Sequence, residues 1–278
     1  LSDDGLRFAP AASVSLEAYA AAFTSAFSGY QYPVSVDAVW LARRVRLEQH
    51  DLQHSLLAYV GDEPVGVAVL AIRADEGWVG GFGIVPAQRG RGRGRALLSA
   101  LLEQVRACGL RRLSLEVLAR NTAARRLYEG AGMRVVRDLL MMERAGSPDA
   151  EAGAGGALQE AAPAELLNHF ARLHVEPPAW QRTLPGLLIK DGLRGLYLGG
   201  RERPEAYALL SRRADGNTYL FDLAAADGEH ARALCAALGG VAGTLKIVNE
   251  PEHSLFTKPL LAHGFVETDR QHEMLLNL

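Results

Sequence analysis

Between residues 78 and 98 the chain passes from the apolar stretch Trp78-Val79-Gly80-Gly81-Phe82-Gly83-Ile84-Val85, through Pro86 and the run Arg89-Gly90-Arg91-Gly92-Arg93-Gly94-Arg95, straight into Ala96-Leu97-Leu98. Beyond the glycines, Leu97, Leu98, Leu101, Leu102, Val105 and Cys108 recur at helical spacing, with Ser99, Glu103, Gln104 and Arg106 on the other side. The apolar stretch predicts a buried strand that Pro86 ends, because proline lacks the NH a central ladder needs. The order strand, glycine turn, helix limits the fold to one in which a sheet delivers a tight turn to a helix start. Glycines let backbone approach a ligand without a Cβ in the way, and the first NH groups of the helix have no internal partner. The turn therefore predicts an anion site, above all for phosphate.

Spacing discriminates among phosphate loops. A Walker loop needs Lys then Ser or Thr after its last glycine, and Arg95-Ala96 stand there. A dinucleotide fingerprint separates its second and third glycines by two residues, whereas these alternate as Gly90, Gly92, Gly94. Downstream, Leu113, Leu115 and Val117 share one face of a strand and Glu116 the other. The segment from Asn121 to Met133 predicts a helix capped by Asn121 or Thr122 and stopped by Gly132.

Arg89, Gly92 and Gly94 fit the pyrophosphate loop of the GNAT N-acetyltransferase superfamily, Gln or Arg, two residues, Gly, one residue, Gly or Ala. The stretch Leu115-Glu116-Val117, Asn121, Leu127-Tyr128 and Gly132-Met133 resembles that superfamily's second signature, with Met133 in place of the usual Phe. The resemblance covers roughly residues 5–144. It implies an α/β (α+β) fold, a mixed, mainly antiparallel central sheet flanked by helices, that uses acetyl-CoA as acyl donor. Carried over position by position, it implies coenzyme contacts from Phe82, Gly83, Ile84, Arg89, Gly90, Arg91, Gly92, Arg93, Gly94, Arg95 and Asn121. Glu116 and Tyr128 resemble the general base and general acid of the ribosomal-protein N-terminal acetyltransferases.

The chemistry can be stated independently. An amine of pKa about 10 is protonated at neutral pH and must lose a proton before it attacks a thioester. Glu116 is the candidate acceptor of that proton, directly or through water. Backbone NH groups of Phe82-Gly83-Ile84 are candidates to meet an oxyanion, and Tyr128 to protonate the departing thiolate. Each has a plainer role beside it. Tyr128 shares a stripe with Ala124, Leu127 and Ala131 and would serve as core, Glu116 could orient an ammonium or pair with an arginine, and Asn121 could simply cap its helix.

The alternating arginines also suggest nucleic-acid binding. Residues 1–144 carry a net charge of +3 and the remainder −5, which gives the formal −2 of the whole chain; the pI is 6.5. Nucleic-acid binders show broad basic surfaces, and a local cluster suits one coenzyme better. A length of 278 residues predicts two domains, 1–144 and 157–278, joined by a small, polar linker at 145–156. In the second, Gly264-Phe265 lies 132 residues after Gly132-Met133. At that offset Glu116, Tyr128 and Asn121 meet Val248, Leu260 and His253, and Ala224-Ala225-Ala226-Asp227 replaces the glycine loop. The second domain is thus expected to be a degenerate GNAT-like copy that serves packing, a homodimer contact or the wall of the acceptor cleft. Its Glu250 and His253 are expected at an exposed polar helix start.

For the acceptor, helices near 16–27 and 36–49 would cover the cleft, with Tyr30 and Tyr32 on the intervening loop and Trp78, Asp75 and Glu76 along its side. No apolar run reaches the 18 to 20 residues of a membrane span, and the first thirty residues show no signal pattern, so a cytoplasmic protein is expected. Cys108 and Cys235 suggest neither disulfide nor metal site, and no metal is expected. The function expected is direct transfer of an acetyl group, in a ternary complex, to a primary amine of a small molecule or peptide N-terminus. A coenzyme-A-binding regulatory or scaffold protein and an Arg/Gly-loop nucleic-acid binder are the alternatives.

Overall fold

The computed structural model describes residues 5–32, 34–146, 158–213 and 215–278. In chain order the elements are β1 (Leu6–Pro10), α1 (Leu16–Ala26), α2 (Ala38–Glu48), β2 (Leu56–Val60), β3 (Glu63–Arg73), β4 (Glu76–Ile84), α3 (Arg93–Ala107), β5 (Arg112–Leu118), α4 (Thr122–Glu129), β6 (Arg134–Arg144), β7 (Gln159–Ala161), α5 (Pro163–Leu167), α6 (Phe170–Leu173), α7 (Leu184–Leu188), β8 (Arg194–Gly200), β9 (Arg203–Arg212), β10 (Thr218–Ala225), α8 (Gly228–Ala237), β11 (Leu245–Pro251), α9 (Thr257–Ala262) and β12 (Val266–Asn277). They form two compact units, Leu1–Val136 with Glu273–Leu278, and Arg137–His272. The division falls within β6 and β12, and the last six residues of the chain pack with the first unit. Most of that small-residue stretch, 147–156, lies outside the described residues.

In the first unit β1, β2, β3 and β4 are antiparallel neighbours, β5 runs parallel to β4, and the end of β12 follows β5. Strand β3 is buried from Val65 to Ala71, as a strand covered on both faces must be. Tyr19, Phe23 and Leu41 of α1 and α2 cover Leu57, Val67 and Val69. On the other face α3 and α4 bring Leu97, Leu98, Leu101, Val105 and Tyr128 onto Ala68, Leu70, Val79, Leu113, Leu115 and Val117. The helix starts carry the expected chemistry: Ser15 Oγ accepts from Ala18 N at 3.2 Å, and Asp37 Oδ1 accepts from Trp40 N at 2.7 Å.

The second unit repeats the plan. Strands β7, β8, β9 and β10 are antiparallel neighbours, β11 is parallel to β10, and β6 is antiparallel to β11. Helices α8 and α9 pack on one face and α5 to α7 on the other. The apolar spacing over 163–173 and 179–190 predicts two helices, and both are shorter in the structure. The first breaks at Asn168-His169, and the second is a 3-10 turn at Trp180–Arg182 followed by α7, whose start is fixed by a proline. No helix among the described residues is long and apolar enough to cross a membrane.

Candidate active site

The parallel ladder between β4 and β5 is short, with Glu76, Gly77 and Trp78 opposite Arg112, Leu113 and Ser114. Past that point β4 keeps only β3 as ladder partner among the described residues, with Gly81 to Ile84 opposite Val69 to Gly66. The change coincides with a bulge: Val79 faces Leu70 and Gly81 faces Val69, so Gly80 has no opposite number. From Val79 onward the two strands diverge, and one edge of Phe82, Gly83 and Ile84 is left open to a ligand. Glycine is demanded here by packing. A Cβ on Gly81 would lie 2.9 Å from Phe23 Cε2, and one on Gly83 3.0 Å from the Ala26 carbonyl oxygen, so α1 lies directly on β4.

The glycine loop follows at the end of β4. Gly90 and Gly92 sit at φ +74° and +79°, the left-handed region, and a Cβ on either would meet nothing within 4 Å. Gly92 is the N-cap of α3 and supplies no side chain, so the start of this fifteen-residue helix has no side-chain cap of its own. Gly94 differs: its φ is ordinary, and a Cβ there would make van der Waals contact with Leu127 at 3.6 Å. The arginines also differ from one another. Arg89 donates to the carbonyls of Ile84 (2.7 Å), Ala26 (3.3 Å) and Ser28 (3.3 Å), which ties the end of β4 to α1. Arg93 is buried, while Arg91 and Arg95 are exposed, as is Arg89 despite its three bonds. The even row of cations suggested by the sequence is therefore divided between scaffold and surface.

Glu116 lies two residues past the last paired position of β5, on the face opposite Leu115 and Val117, which is the α1–α2 side. Its Oε2 accepts from Trp78 Nε1 at 2.7 Å. Trp78 is 2% exposed, so it supports this carboxylate from within and does not line the cleft as the sequence suggested. Asp75 and Glu76 also lie elsewhere, at the far end of the strand pair, where they form ion pairs with Arg111 and Arg112. Tyr128 projects from α4 into the other face, edge-on to Phe82 with ring centroids 5.9 Å apart. Burial, with the neighbouring Tyr30 phenol, pushes the Tyr128 phenol well above its usual value. Tyr30 packs edge-on to Phe27 with ring centroids 5.5 Å apart, while Tyr32 lies under the Arg120 guanidinium at 5.6 Å, and Arg120 also donates to Gln31. Asn121 caps α4, its Oδ1 accepting from Ala124 N at 3.2 Å.

Three residues without any motif stand beside this site. Arg44 Nη2 donates to the Gly80 carbonyl at 2.9 Å and Arg44 Nε to Glu48 at 2.6 Å, while Glu48 also accepts from His50 Nε2 at 2.9 Å. Desolvation holds the His50 imidazole below its ordinary pKa, partly offset by Glu48. Arg44 and Glu48 are spaced as an ordinary surface i,i+4 pair, so only their partial burial and the bond to Gly80 mark them.

The second unit keeps the opening and lacks the cradle. Its β10–β11 ladder ends at Leu220 and Ile247, followed by a bulge at Phe221. At the start of α8, however, Asp227 Oδ1 accepts from the NH groups of Glu229 (2.9 Å) and His230 (3.0 Å). A carboxylate of the chain itself fills the place of an anion. Val248 and Leu260 are hydrocarbon side chains, so neither counterpart of Glu116 or Tyr128 can move a proton. Glu250, expected at the surface, is 1% exposed and pairs with Arg182, which also lies 3.6 Å from Asp222. Two buried carboxylates around one guanidinium explain why it sits inside.

Residues 16–133 match the acetyltransferase (GNAT) family. The uncharacterized N-acetyltransferase YycN of Bacillus subtilis (strain 168) is 38% identical over 69 residues, 25% of this chain. The match spans 44% of that relative, less than half its length. In fold, the chain is similar to a GCN5-related N-acetyltransferase from Sphaerobacter thermophilus, with TM-score 0.71, 16% identity and coverage of 100% and 96% of the two chains. It is likewise similar to a tandem GNAT protein from the clavulanic acid biosynthesis pathway, with TM-score 0.67, 15% identity and 98% of each chain covered.

Proposed function

As this chain belongs to the GNAT superfamily, we propose that its first unit is an acetyl-CoA-dependent N-acetyltransferase that moves an acetyl group directly to a primary amine of a small molecule or peptide N-terminus, in a ternary complex. The observation that carries this reading is the divergence of β4 and β5 after Trp78 and Ser114. Glu116 and Tyr128 belong to opposite faces of the sheet, and a single reacting carbon comes within reach of both only where the sheet is open.

The residues present fit the coenzyme. The uncapped NH groups at the start of α3, with Gly90 and Gly92 offering no Cβ, suit a pyrophosphate, and Arg91 and Arg95 add exposed positive charge. Bound acetyl-CoA would supply an electrophilic thioester carbonyl and a thiolate leaving group. Glu116, oriented by the Trp78 indole, takes the proton of the acceptor ammonium directly or through a water. The open edge of Phe82 to Ile84 presents NH groups to the oxygen on which negative charge develops. Tyr128, kept neutral by burial, acts as donor to the leaving sulfur. Its raised pKa makes complete transfer uphill, so its role is weighted toward hydrogen bonding.

The test is calorimetric titration of acetyl-CoA, followed by a thiol-release assay against polyamines, aminoglycosides, amino acids and peptides. The expected result is one coenzyme per chain and release with one acceptor class. Absence of binding refutes the reading, and binding without turnover on any amine returns the chain to a coenzyme-binding regulatory role.

A further inference from the structure

A bulge takes one residue out of the ladder and leaves its carbonyl to be satisfied elsewhere. At Gly80 the partner is Arg44, whose Nη2 donates at 2.9 Å. Arg44 is itself held on three sides. Glu48, one turn on, accepts from its Nε at 2.6 Å, and the Trp40 and Phe23 rings lie 5.3 and 5.8 Å from its guanidinium carbon. Glu48 is fixed in turn by His50 Nε2 at 2.9 Å, and the His50 side chain is only 1% exposed. A charged arm of α2 therefore grips the one residue at which β4 leaves its register.

The grip extends to the candidate base. A Cβ on Gly80 would lie 2.5 Å from Trp78 Cζ3 and 3.0 Å from His50 Nε2, so both rings rest on the glycine with no slack. The His50 and Trp78 rings are 6.3 Å apart, and the far end of the same indole donates to Glu116 at 2.7 Å. Contact runs without a gap from Glu48 and His50 through Arg44, Gly80 and Trp78 to the Glu116 carboxylate. Four of these links are hydrogen bonds with a charged donor or acceptor, the directional kind.

We propose that Arg44, Glu48 and His50 are positioning residues that set the β4 bulge and, through Trp78, the orientation of the Glu116 carboxylate. Helix α2, which covers the acceptor side of the sheet, would thereby fix the geometry of proton removal. The inference rests on the acetyltransferase reading for its kinetic consequence, though not for its structural one.

Arg44→Met keeps the aliphatic stem over Trp40 and removes the bond to Gly80, Arg44→Lys restores a charge that reaches a carbonyl, and Glu48→Gln weakens the anchor. Misplacing a catalytic group by about an ångström costs on the order of 100-fold. The expected result for Arg44→Met is a fall in kcat of about 10- to 100-fold, with acetyl-CoA affinity within about two-fold of wild type because the glycine loop lies beyond the end of β4 and makes no bond to Arg44. Arg44→Lys should recover most of that loss. The acid limb of the kcat/KM profile should move upward in Arg44→Met, because a loosened indole bond no longer favours the ionised carboxylate. Independently of turnover, the Trp78 indole NH resonance, assigned with Trp78→Phe, should shift and exchange faster in Arg44→Met and in Glu48→Gln. An unmoved resonance in both folded variants overturns the inference whatever the activity. So does a kinetic loss that appears only as weaker acetyl-CoA binding. Lack of turnover in the wild type refutes the acetyltransferase reading and leaves the resonance to decide the coupling.

Discussion

Gly92→Ala separates what the loop costs the fold from what it does for a ligand. The wild-type residue has φ +79°, and nothing lies within 4 Å of the position its Cβ would take. The penalty for the fold is therefore conformational alone, about 1–2 kcal/mol for an L-residue in the left-handed region. In a domain of this size that lowers Tm by about 2–8 °C. The effect on binding is larger, because the new methyl stands on the open side where a phosphate would rest. Losing one backbone hydrogen bond to a charged group removes about 1.5–3 kcal/mol, which weakens acetyl-CoA by roughly 10- to 150-fold. Gly94→Ala is the internal control. Its Cβ would sit 3.6 Å from Leu127 and 3.9 Å from Ile84 at an ordinary φ, so affinity should stay within about three-fold and the helix should gain about 0.5–1 kcal/mol. Calorimetric Kd values measured beside thermal melts read both effects. Wild-type affinity in Gly92→Ala, or equal losses in the two variants, would refute the cradle assigned to this loop.

Other variants probe the remaining roles. Glu116→Gln should lower kcat by about 100-fold or more while acetyl-CoA binding in calorimetry is retained; full activity across pH removes the base assignment. Tyr128→Phe should slow thiol release and barely move Tm, since its hydroxyl has no hydrogen bond among the described residues; an unchanged rate returns Tyr128 to the core. Asp227→Ala should cost about 1 kcal/mol through the lost cap and leave the coenzyme stoichiometry and turnover as they were. His50 is held below its ordinary pKa, so below about pH 6.5 the unfolded chain binds a proton that the folded chain does not, and stability falls as pH falls. His230 is shifted upward and acts in the opposite sense. The test is therefore the difference between wild type and His50→Gln, which should show a smaller loss from pH 6.5 to 5; equal slopes in chemical denaturation contradict the assignment.

Much of the frame was legible because its signals are local. Glycine conformation, helix periodicity and the alternation around Glu116 are decided within a few residues, and the structure places the loop, α3, β5 and α4 as they indicate. What escaped depends on distant partners. The sequence shows Trp78 as an aromatic residue at a strand start, and only the β4–β5 register, Trp78 opposite Ser114, brings its indole to Glu116. Arg44 and Glu48 look like any solvated helix pair until α2 lies over Gly80. Arg89 matches a phosphate-loop motif and spends its guanidinium on three carbonyls, a use that no spacing announces. Strand β12 was missed because its polar residues, Glu267 to Glu273, show little of the alternation that marks a half-buried strand.

The two units together separate the opening of the sheet from the proposed anion cradle. Both have a parallel strand pair that ends early beside a bulge, and both send a helix from the strand end back across the sheet. The opening is thus a property of the architecture, common to a unit with proton-transfer candidates and to one without. The helix starts differ. At α3 the cap is Gly92, which leaves the NH groups to a ligand; at α8 it is Asp227, which takes two of them for itself. An oxygen already seated on those donors, carrying negative charge, both occupies the position and repels a second anion. Replacing Asp227 by glycine would remove the obstacle without creating a cradle, since β10 ends at Ala225 and only Ala226 precedes that cap, where the first unit has a loop with Gly90 at positive φ. Asp227→Gly should therefore bind no additional acetyl-CoA in calorimetry. A second equivalent in that variant would mean that the helix start alone makes the site and that the left-handed glycines are dispensable.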